Sequence, residues 1–262
     1  MHRLLLSIGI ALVFMGSGQS GQESLYQVST IEALLAGIYD GSVEMGEVLD
    51  QGDFGLGTVD RLDGELILLD GEIYQAAFDG SVNRMPPQTR TPFIALTQFE
   101  ADQRLRAEAG LTFAEFKTWL EGELPSRNLI YGVRVDGRFR DIVYRSVPRQ
   151  EQKPYPPLVD VVRRQAVFRS EDIGGTLLGF WCPDFIAGLN VPGFHLHFLS
   201  DDRRHAGHVL DFSIDGGEVQ LDLTNGLELQ LPVDSDFLGI DLGTDQSGAL
   251  RSVERGRNES VE

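Results

Sequence analysis

The stretch FGLGTVDRLDGELILLDGEIYQAAFDG, residues 54–80, indicates the fold class most clearly. Its apolar residues form short runs, and Asp-Gly pairs follow at positions 63–64, 70–71 and 79–80. Asp-Gly is a dipeptide that tight hairpin turns prefer, because both residues tolerate a positive φ. The stretch is therefore predicted to form a β meander.

Strand and helix patterns continue on both sides of the meander. Apolar residues at helical spacing predict helices within 29–41, 111–124 and 158–168, and the second has Thr112 and Glu115 at the capping-box spacing. Residues 127–148 are predicted to form a hairpin that turns at Asp136 and Gly137. Further strands are predicted at 90–99, 175–183, 193–200, 207–214, 217–223 and 227–233. The last third of the chain is thus predicted to be mostly β structure, followed by a polar tail.

The composition is that of a soluble globular protein, with 42% hydrophobic and 9% aromatic residues in a chain of 262. The formal net charge of -18 comes from 40 acidic against 22 basic residues. Such a surface repels nucleic-acid phosphates, so we expect no nucleic-acid partner. The single cysteine, Cys182, lies among aromatic and apolar residues. We interpret it as a buried, inert thiol, with a nucleophile as the alternative.

The first residues have the three parts of a secretory signal peptide. A basic start with Arg3 precedes an apolar run over residues 4–15, and small residues follow at 16–18. This run is short for a membrane span, which needs about 20 apolar residues. Cleavage is predicted near Gly18 or Ser20, and the mature protein is expected to be exported and free of the membrane. An uncleaved membrane anchor is the alternative.

Four of the five histidines lie within FHLHFLSDDRRHAGHVLDF, residues 194–212. His195 and His197 would leave the same face of a strand, because strand side chains alternate. His208 lies on the next predicted strand, and a hairpin would bring it beside them. Three histidines with an open fourth position are typical of catalytic zinc, although iron, manganese, copper and nickel also bind imidazole. The alternative is three unrelated polar side chains, and His205 is interpreted as a solvent-facing turn residue.

Three longer stretches resemble the α-acetolactate decarboxylase family. They are GDFGLGTVDRLDGELILLDGEIYQ (52–75), YRSVPRQEQKPYPPL (144–158) and GFWCPDFIAGLNVPGFHLHFLSDDRRHAGHVLD (179–211). The likeness covers nearly all of the chain after the predicted signal peptide. It implies a Zn²⁺ enzyme that converts the small molecule 2-acetolactate to acetoin and carbon dioxide, and a homodimer formed through the N-terminal sheet.

The resemblance also assigns site residues by motif. The implied zinc ligands are His195 and His197 of FHLHF and His208 of GHVLD. The implied catalytic residues are Glu65 of LDGEL, Arg145 of YRSVP and a glutamate near the C-terminus, best matched by Glu254 of RSVERG with Glu259 as a competitor. Without the resemblance, Glu65 is interpreted as a solvated turn residue and Arg145 as a surface arginine.

Two β-rich subdomains are implied as well, so the predicted fold class is α/β in the broad sense, a β-rich α+β chain. We predict a signal peptide over residues 1–20 and an N-terminal mixed β-sheet domain with helices over 21–165. A mainly antiparallel, barrel-like β domain over 166–262 would carry the metal site. The polar, proline-rich segment 150–158 is the most linker-like stretch of the chain.

The chemistry of the implied reaction suits this set of residues. When carbon dioxide leaves, the neighbouring ketone of the substrate can accept the electrons as an enediolate. A zinc ion would stabilise that charge as a Lewis acid, and Arg145 would hold the carboxylate in a bidentate pair. Glu65 or Glu254 would then supply a proton. The sequence leaves open which of the two does so.

Three other functions stay open. A cupin-like metal oxygenase or isomerase also carries His-x-His on a β barrel, but the glutamate expected a few residues later is missing here. A metal-dependent ligand-binding module would use the same histidines without turnover. A family member with a changed substrate, such as acetohydroxybutyrate, is the third possibility.

Overall fold

The computed structural model describes residues 23–254, so the predicted signal peptide lies outside the described residues. Fourteen strands are found in this part of the chain: β1 Ser24–Val28, β2 Val43–Glu44, β3 Phe54–Thr58, β4 Glu65–Leu69, β5 Glu72–Ala76, β6 Val82–Arg84, β7 Arg90–Thr91, β8 Phe93–Thr97, β9 Gln103–Thr112, β10 Ile130–Ser146, β11 Ala166–Cys182, β12 Gly193–Ser200, β13 Ala206–Thr224 and β14 Gly226–Gln230. The same residues contain six α-helices: α1 Ile31–Leu35, α2 Met45–Val48, α3 Phe113–Glu123, α4 Leu158–Val162, α5 Ser235–Gly239 and α6 Ser247–Glu254. The chain is therefore a strand-rich α+β fold, as predicted.

The predicted meander forms the centre of the first sheet. Seven strands are hydrogen-bonded in the order β14-β1-β8-β3-β4-β5-β6. Strand β14 runs parallel to β1 and the other pairs are antiparallel, which makes the sheet mixed. At the turn between β4 and β5, Asp70 and Gly71 both have positive φ values of 53° and 77°, as an Asp-Gly hairpin turn requires. Strands β2 and β7 form a separate two-stranded ribbon.

The second sheet closes into a barrel. Its strands are ordered β10-β11-β12-β13-β9, and β10 also pairs with β13, so four antiparallel strands form a closed ring. Strand β9 lengthens the wall by pairing with β13. The barrel interior is filled by large apolar side chains, including Phe139, Phe198 and Phe212. The barrel-like second β unit is thus present.

Two predicted turns are wrong, because they lie inside long strands. The predicted hairpin turn at Asp136 and Gly137 is the middle of β10, and the predicted break between 214 and 217 is the middle of β13. Gly137 pairs with Gly175 on one neighbour and with Gly217 on the other. A Cβ at Gly217 would lie 2.7 Å from the carbonyl oxygen of Asp136. These glycines therefore permit close approach of bent barrel strands instead of reversing the chain.

The three predicted helices are present, but two are shorter than predicted: α1 ends at Leu35, α4 ends at Val162, and residues 166–168 belong to β11. A further helix, α6, reaches into the polar tail. Helix α3 begins with the expected capping box, in which Thr112 Oγ1 accepts from the Glu115 amide and the Glu115 carboxylate accepts from the Thr112 amide. Helix α6 covers residues that the sequence indicated only as polar tail. It packs with α1 and α4 in one apolar cluster that includes Leu35, Val161 and Val253.

The two sheets pack face to face and leave the site between them. Leu56 of the first sheet lies in one buried cluster with Leu178 and Phe180 of the barrel. Each sheet contains strands from both sides of the predicted domain boundary at residue 165, because β14 lies in the first sheet and β10 lies in the barrel. The domain division itself stays a prediction. Among residues 23–254, none of the helices has the length and apolar character that crossing a membrane requires.

Candidate metal centre

Three histidines converge on the face of the barrel that packs against the first sheet. His195 and His197 alternate along β12, and His197 lies directly opposite His208 of β13. The ring centroids are 5.0 to 5.5 Å apart. One ring nitrogen from each lies within 4.8 Å of the others. Two predictions are therefore confirmed: His195 and His197 leave the same face of a strand, and a hairpin brings His208 beside them.

All three rings are buried and therefore held in the neutral form. Burial lowers the pKa of His195 to about 3, and the charge of Arg145 acts in the same direction. Burial also holds the pKa values of His197 and His208 well below the usual range. A neutral imidazole is the form that binds a metal ion.

The hydrogen bonds of the rings fit a metal ligand set. His197 Nδ1 lies 3.0 Å from the carbonyl oxygen of Leu66, and because a carbonyl can only accept, Nδ1 carries the proton and Nε2 keeps its lone pair. This is the usual orientation of a metal-binding histidine. Within the described residues, Nδ1 of His195 is buried without a hydrogen-bond partner. An unsatisfied buried nitrogen beside two others is the donor set that zinc prefers.

Glu65 lies beside the histidines and is not a solvated turn residue. It begins β4, it is 7% exposed, and its Oε2 is 3.8 Å from Nε2 of His197. The turn before it is tight: Gly64 has a φ of 81°, and its carbonyl accepts a hydrogen bond from Thr58 Oγ1. Burial raises the pKa of Glu65 to about 7, against the lowering effect of Arg145.

Glu254 reaches the same site from the end of α6. Its Oε2 is 3.5 Å from Nε2 of His208. Burial raises its pKa to about 7, again against the lowering effect of Arg145. The competing Glu259 lies outside the described residues. Helix α6 therefore brings to the histidines a carboxylate that is far from them in sequence.

Arg145 supplies the positive charge at this site. It lies on β10 directly opposite His208 and is 4% exposed. Its guanidinium donates to Gln165 Oε1 at 3.1 Å, while its Nε has no partner among the described residues. Gln165 was not predicted, because it stands just before β11 and no local pattern connects it with an arginine twenty residues earlier.

His205 and Cys182, which the sequence analysis also discussed, lie apart from the histidine cluster. His205 is half-buried in the turn between β12 and β13, and its Nδ1 shares a hydrogen bond of 3.0 Å with the hydroxyl of Tyr144. It is a turn residue outside the histidine cluster, as predicted, but it packs on the barrel rather than facing solvent freely. Cys182 is buried in the apolar cluster between the sheets, and burial raises its pKa to about 12. The predicted burial of the thiol is therefore confirmed, and its inertness stays a prediction.

The site lines a small cavity that adjoins a larger cleft. The cavity, of about 40 Å³, is lined by the predicted site residues and by apolar side chains such as Phe93 and Leu158. The cleft, of about 760 Å³, shares His208 and Glu254 with it, and its lining also includes residues of α3, α6, β12, the loop before β12 and the segment before α6. The arrangement brings together three neutral nitrogens, two carboxyl groups and one guanidinium, away from bulk water.

Comparison with known proteins gives a consistent result. Residues 25–244 match the family described as α-acetolactate decarboxylase. A relative of that name from Methanosarcina mazei is 44% identical over 236 residues, which is 90% of this chain and 82% of the relative. Another, from Bacillus subtilis strain 168, is 39% identical over 87% of this chain and 90% of its own length.

Solved structures give the same likeness. The crystal structure of α-acetolactate decarboxylase from Bacillus subtilis strain 168 superposes with a TM-score of 0.87 at 38% identity, covering 89% of this chain and all of that one. A Staphylococcus aureus protein of unknown function, described as similar to α-acetolactate decarboxylase, superposes with a TM-score of 0.82 at 31% identity, over 88% and 98% of the two chains. Five of the six predicted site residues lie inside the matched range, and Glu254 lies beyond it.

Proposed function

The chain belongs to the α-acetolactate decarboxylase family, and from this premise we propose that it removes carbon dioxide from 2-acetolactate to give acetoin, using a zinc ion held by three histidines. The relatives that carry this name are similar along most of their length. The metal, the mechanism and the residue roles below are parts of the proposal.

His195, His197 and His208 are the proposed zinc ligands. Their neutral, buried rings and the unpartnered nitrogen of His195 support this choice. When bound there, zinc would supply a Lewis acid for the negative charge that develops on the substrate oxygens during decarboxylation. The hydrogen bond from His197 to the Leu66 carbonyl would keep that ring oriented.

Arg145 is proposed to bind the substrate carboxylate. A buried guanidinium with an unpartnered Nε has a donor free for a bidentate pair, and Gln165 holds its other end. Such a pair would orient the carboxylate until it departs as carbon dioxide.

Glu65 and Glu254 are proposed to hold and deliver the proton that the substrate carbon receives after carbon dioxide has left. Glu65 is buried and Glu254 is largely buried, each lies next to a different histidine, and the pKa of each is raised to about 7. A carboxyl group with a pKa near neutrality can hold a proton and deliver it to the carbon that lost carbon dioxide. The two groups approach from different elements, β4 and α6, so they would reach different sides of a bound substrate.

The single observation that carries the proposal is the convergence of three histidines, two carboxyl groups and one arginine on one buried cavity. The direct test is to incubate the purified protein with racemic 2-acetolactate and to measure acetoin with and without a zinc chelator. We expect acetoin only in the chelator-free reaction. Oxygen consumption, or activity with iron alone, would favour a cupin-like oxygenase, and metal-dependent binding without acetoin would favour a binding module.

Export and dimerisation also belong to the proposal. The signal-peptide pattern of residues 1–20 supports export, and mass analysis of protein from the medium or periplasm would test it. Exposed apolar side chains at the edge strand β14 and just after it, Leu227, Leu231 and Val233, support a homodimer contact through the first sheet. Light scattering during gel filtration would give the mass of the assembly in solution.

A further inference from the structure

A second group of carboxylates lies where the first sheet meets the barrel, near the end of β13 opposite to the one that carries His208. Glu23 precedes β1, Asp102 precedes β9 and Asp222 lies near the end of β13. One carboxylate oxygen from each lies within 4.8 Å of the others. Three chain segments that are far apart in sequence therefore direct negative charge at one point.

Asp222 is the feature that distinguishes this group from an ordinary acidic surface. Its side chain is 0% exposed, and within residues 23–254 neither of its carboxylate oxygens makes a hydrogen bond of normal geometry. Thr224, two residues further along the same face of β13, has a buried hydroxyl that likewise lacks a partner in that range. Buried oxygens are rarely left unsatisfied, so these carboxylate and hydroxyl oxygens point to a ligand at this place.

The charges at this point are not balanced by basic side chains. Among the described residues, no ion pair joins Glu23, Asp102 or Asp222 to a lysine, arginine or histidine within 4.0 Å. Burial, followed by the charges of Asp102 and Glu23, raises the pKa of Asp222 to about 7, although the backbone amide of Glu100 partly offsets this. A bound cation would remove both the repulsion and the unsatisfied oxygens.

Backbone hydrogen bonds join the three chain segments that carry these acids. The amide of Leu223 donates to Asp102 Oδ2 at 2.7 Å, and the amide of Asp102 donates to the carbonyl of Leu221 at 2.9 Å. Two successive amides after β13 donate to the carbonyl of Glu23 at 3.1 and 3.0 Å. These bonds orient the Asp102 carboxylate and join the backbones of the three segments that carry the acids.

We propose that Glu23, Asp102 and Asp222 form a structural calcium site that fastens the first strand of the open sheet to the last turn of the barrel. The ligands are oxygens alone, which suits a hard cation and not zinc. Calcium accepts an irregular set of carboxylates, a hydroxyl and waters, whereas magnesium demands an octahedron and keeps most of its water. The site is separate from catalysis, because none of its residues lines the histidine cavity.

The test uses the mature protein with zinc already bound, so that added calcium reports only on the second site. Ca²⁺ is titrated to about 10 mM, beyond the weakest range of extracellular calcium modules, and Tm and binding heat are followed. We expect Tm to rise by about 3 °C or more at roughly tenfold excess over Kd. Asp222→Asn should abolish the rise, while Glu108→Gln, an exposed acid on β9, should keep it.

A flat titration of the unaltered protein, with neither heat nor a change in Tm, would overturn the proposal. An equal response to Mg²⁺ at the same concentrations would overturn the assignment to calcium. Without calcium, Asp222→Asn should melt no lower than the unaltered protein, because the amide removes a buried, repelled charge. Should that variant fail to fold, Glu23→Gln is used instead, and we expect at least a tenfold weaker Kd for calcium. Acetoin formation should stay unchanged in both variants.

Discussion

At the scale of single residues, burial raises the pKa values of the carboxyl groups of Glu65 and Glu254. Glu65 follows an Asp-Gly turn, a place where glutamates are usually solvated, yet β4 carries it between the sheets. Desolvation raises its pKa to about 7 and keeps it available as a proton donor near neutral pH.

Replacing Glu65 by glutamine should remove this proton without changing shape or metal content. We expect the rate of acetoin formation to fall by roughly 10²- to 10⁴-fold, the usual contribution of a general acid, while zinc stays bound. The matched control is Glu72→Gln, a half-exposed glutamate on the neighbouring strand. An unchanged rate in Glu65→Gln would remove this residue from the mechanism.

Among the histidines of the hairpin, only His195, His197 and His208 are proposed to bind metal, because their rings converge. His195→Ala should lose both zinc and activity, because two ligands seldom retain a zinc ion that needs three or four. His205→Ala removes an imidazole from the same hairpin and should keep both, since its ring bonds to Tyr144 outside the cluster. Metal analysis of the two purified variants checks this, and stoichiometric zinc in His195→Ala would contradict it.

The sequence predicted the histidines from their own pattern but not the groups around them. Strand alternation and a short turn are enough to bring His195, His197 and His208 together. Glu65 and Arg145 were found only through the family resemblance, because their burial depends on the packing of one sheet on the other. No local sequence pattern indicated Gln165, because its proposed role depends on its hydrogen bond with Arg145.

At the scale of elements, the glycines show why local patterns mislead. Asp-Gly pairs form turns at 63–64 and 70–71, but the pair at 136–137 lies inside a barrel strand. An Asp-Gly pair indicates only that the backbone can bend there or can approach a neighbouring strand closely. Whether it reverses the chain depends on neighbours such as Gly175 and Gly217, which lie far away in sequence.

Two glycines of the meander offer a matched test of this packing. Both have positive φ values, 81° at Gly64 and 77° at Gly71, so alanine should cost about 1–2 kcal/mol at either from backbone strain. At Gly64 the new Cβ would also lie 2.2 Å from the Ala76 carbonyl oxygen, whereas at Gly71 nothing lies within 4 Å. Gly64→Ala should therefore lose clearly more stability to urea, and also activity, because Glu65 follows it. Equal losses in both variants would contradict the close packing of this turn.

At the scale of the whole molecule, the site depends on contact between the open sheet and the barrel. Glu65 comes from the first, and Arg145 and the histidines come from the second. The first sheet is completed by β14, which returns from the far end of the chain to pair in parallel with β1. No local sequence pattern predicts such a long-range pairing, and therefore the set of strands in each sheet was not predicted.

Zinc bound at this junction should stabilise the entire fold. A ligand present at a thousandfold excess over its Kd contributes about 4 kcal/mol, which corresponds to roughly 10 °C in Tm for a domain of this size. We expect a chelator to lower Tm by about this amount and added zinc to restore it. An identical melting curve before and after zinc removal would show that the histidines hold no ion in the folded protein.

The most direct measurement of the central claim is a zinc titration of metal-depleted protein with 2-acetolactate present. We expect no acetoin without metal and a rate that rises linearly until each chain has received one zinc ion, then stays constant. Full turnover by protein shown to contain no metal would contradict it, and so would a rate that keeps rising far beyond one equivalent.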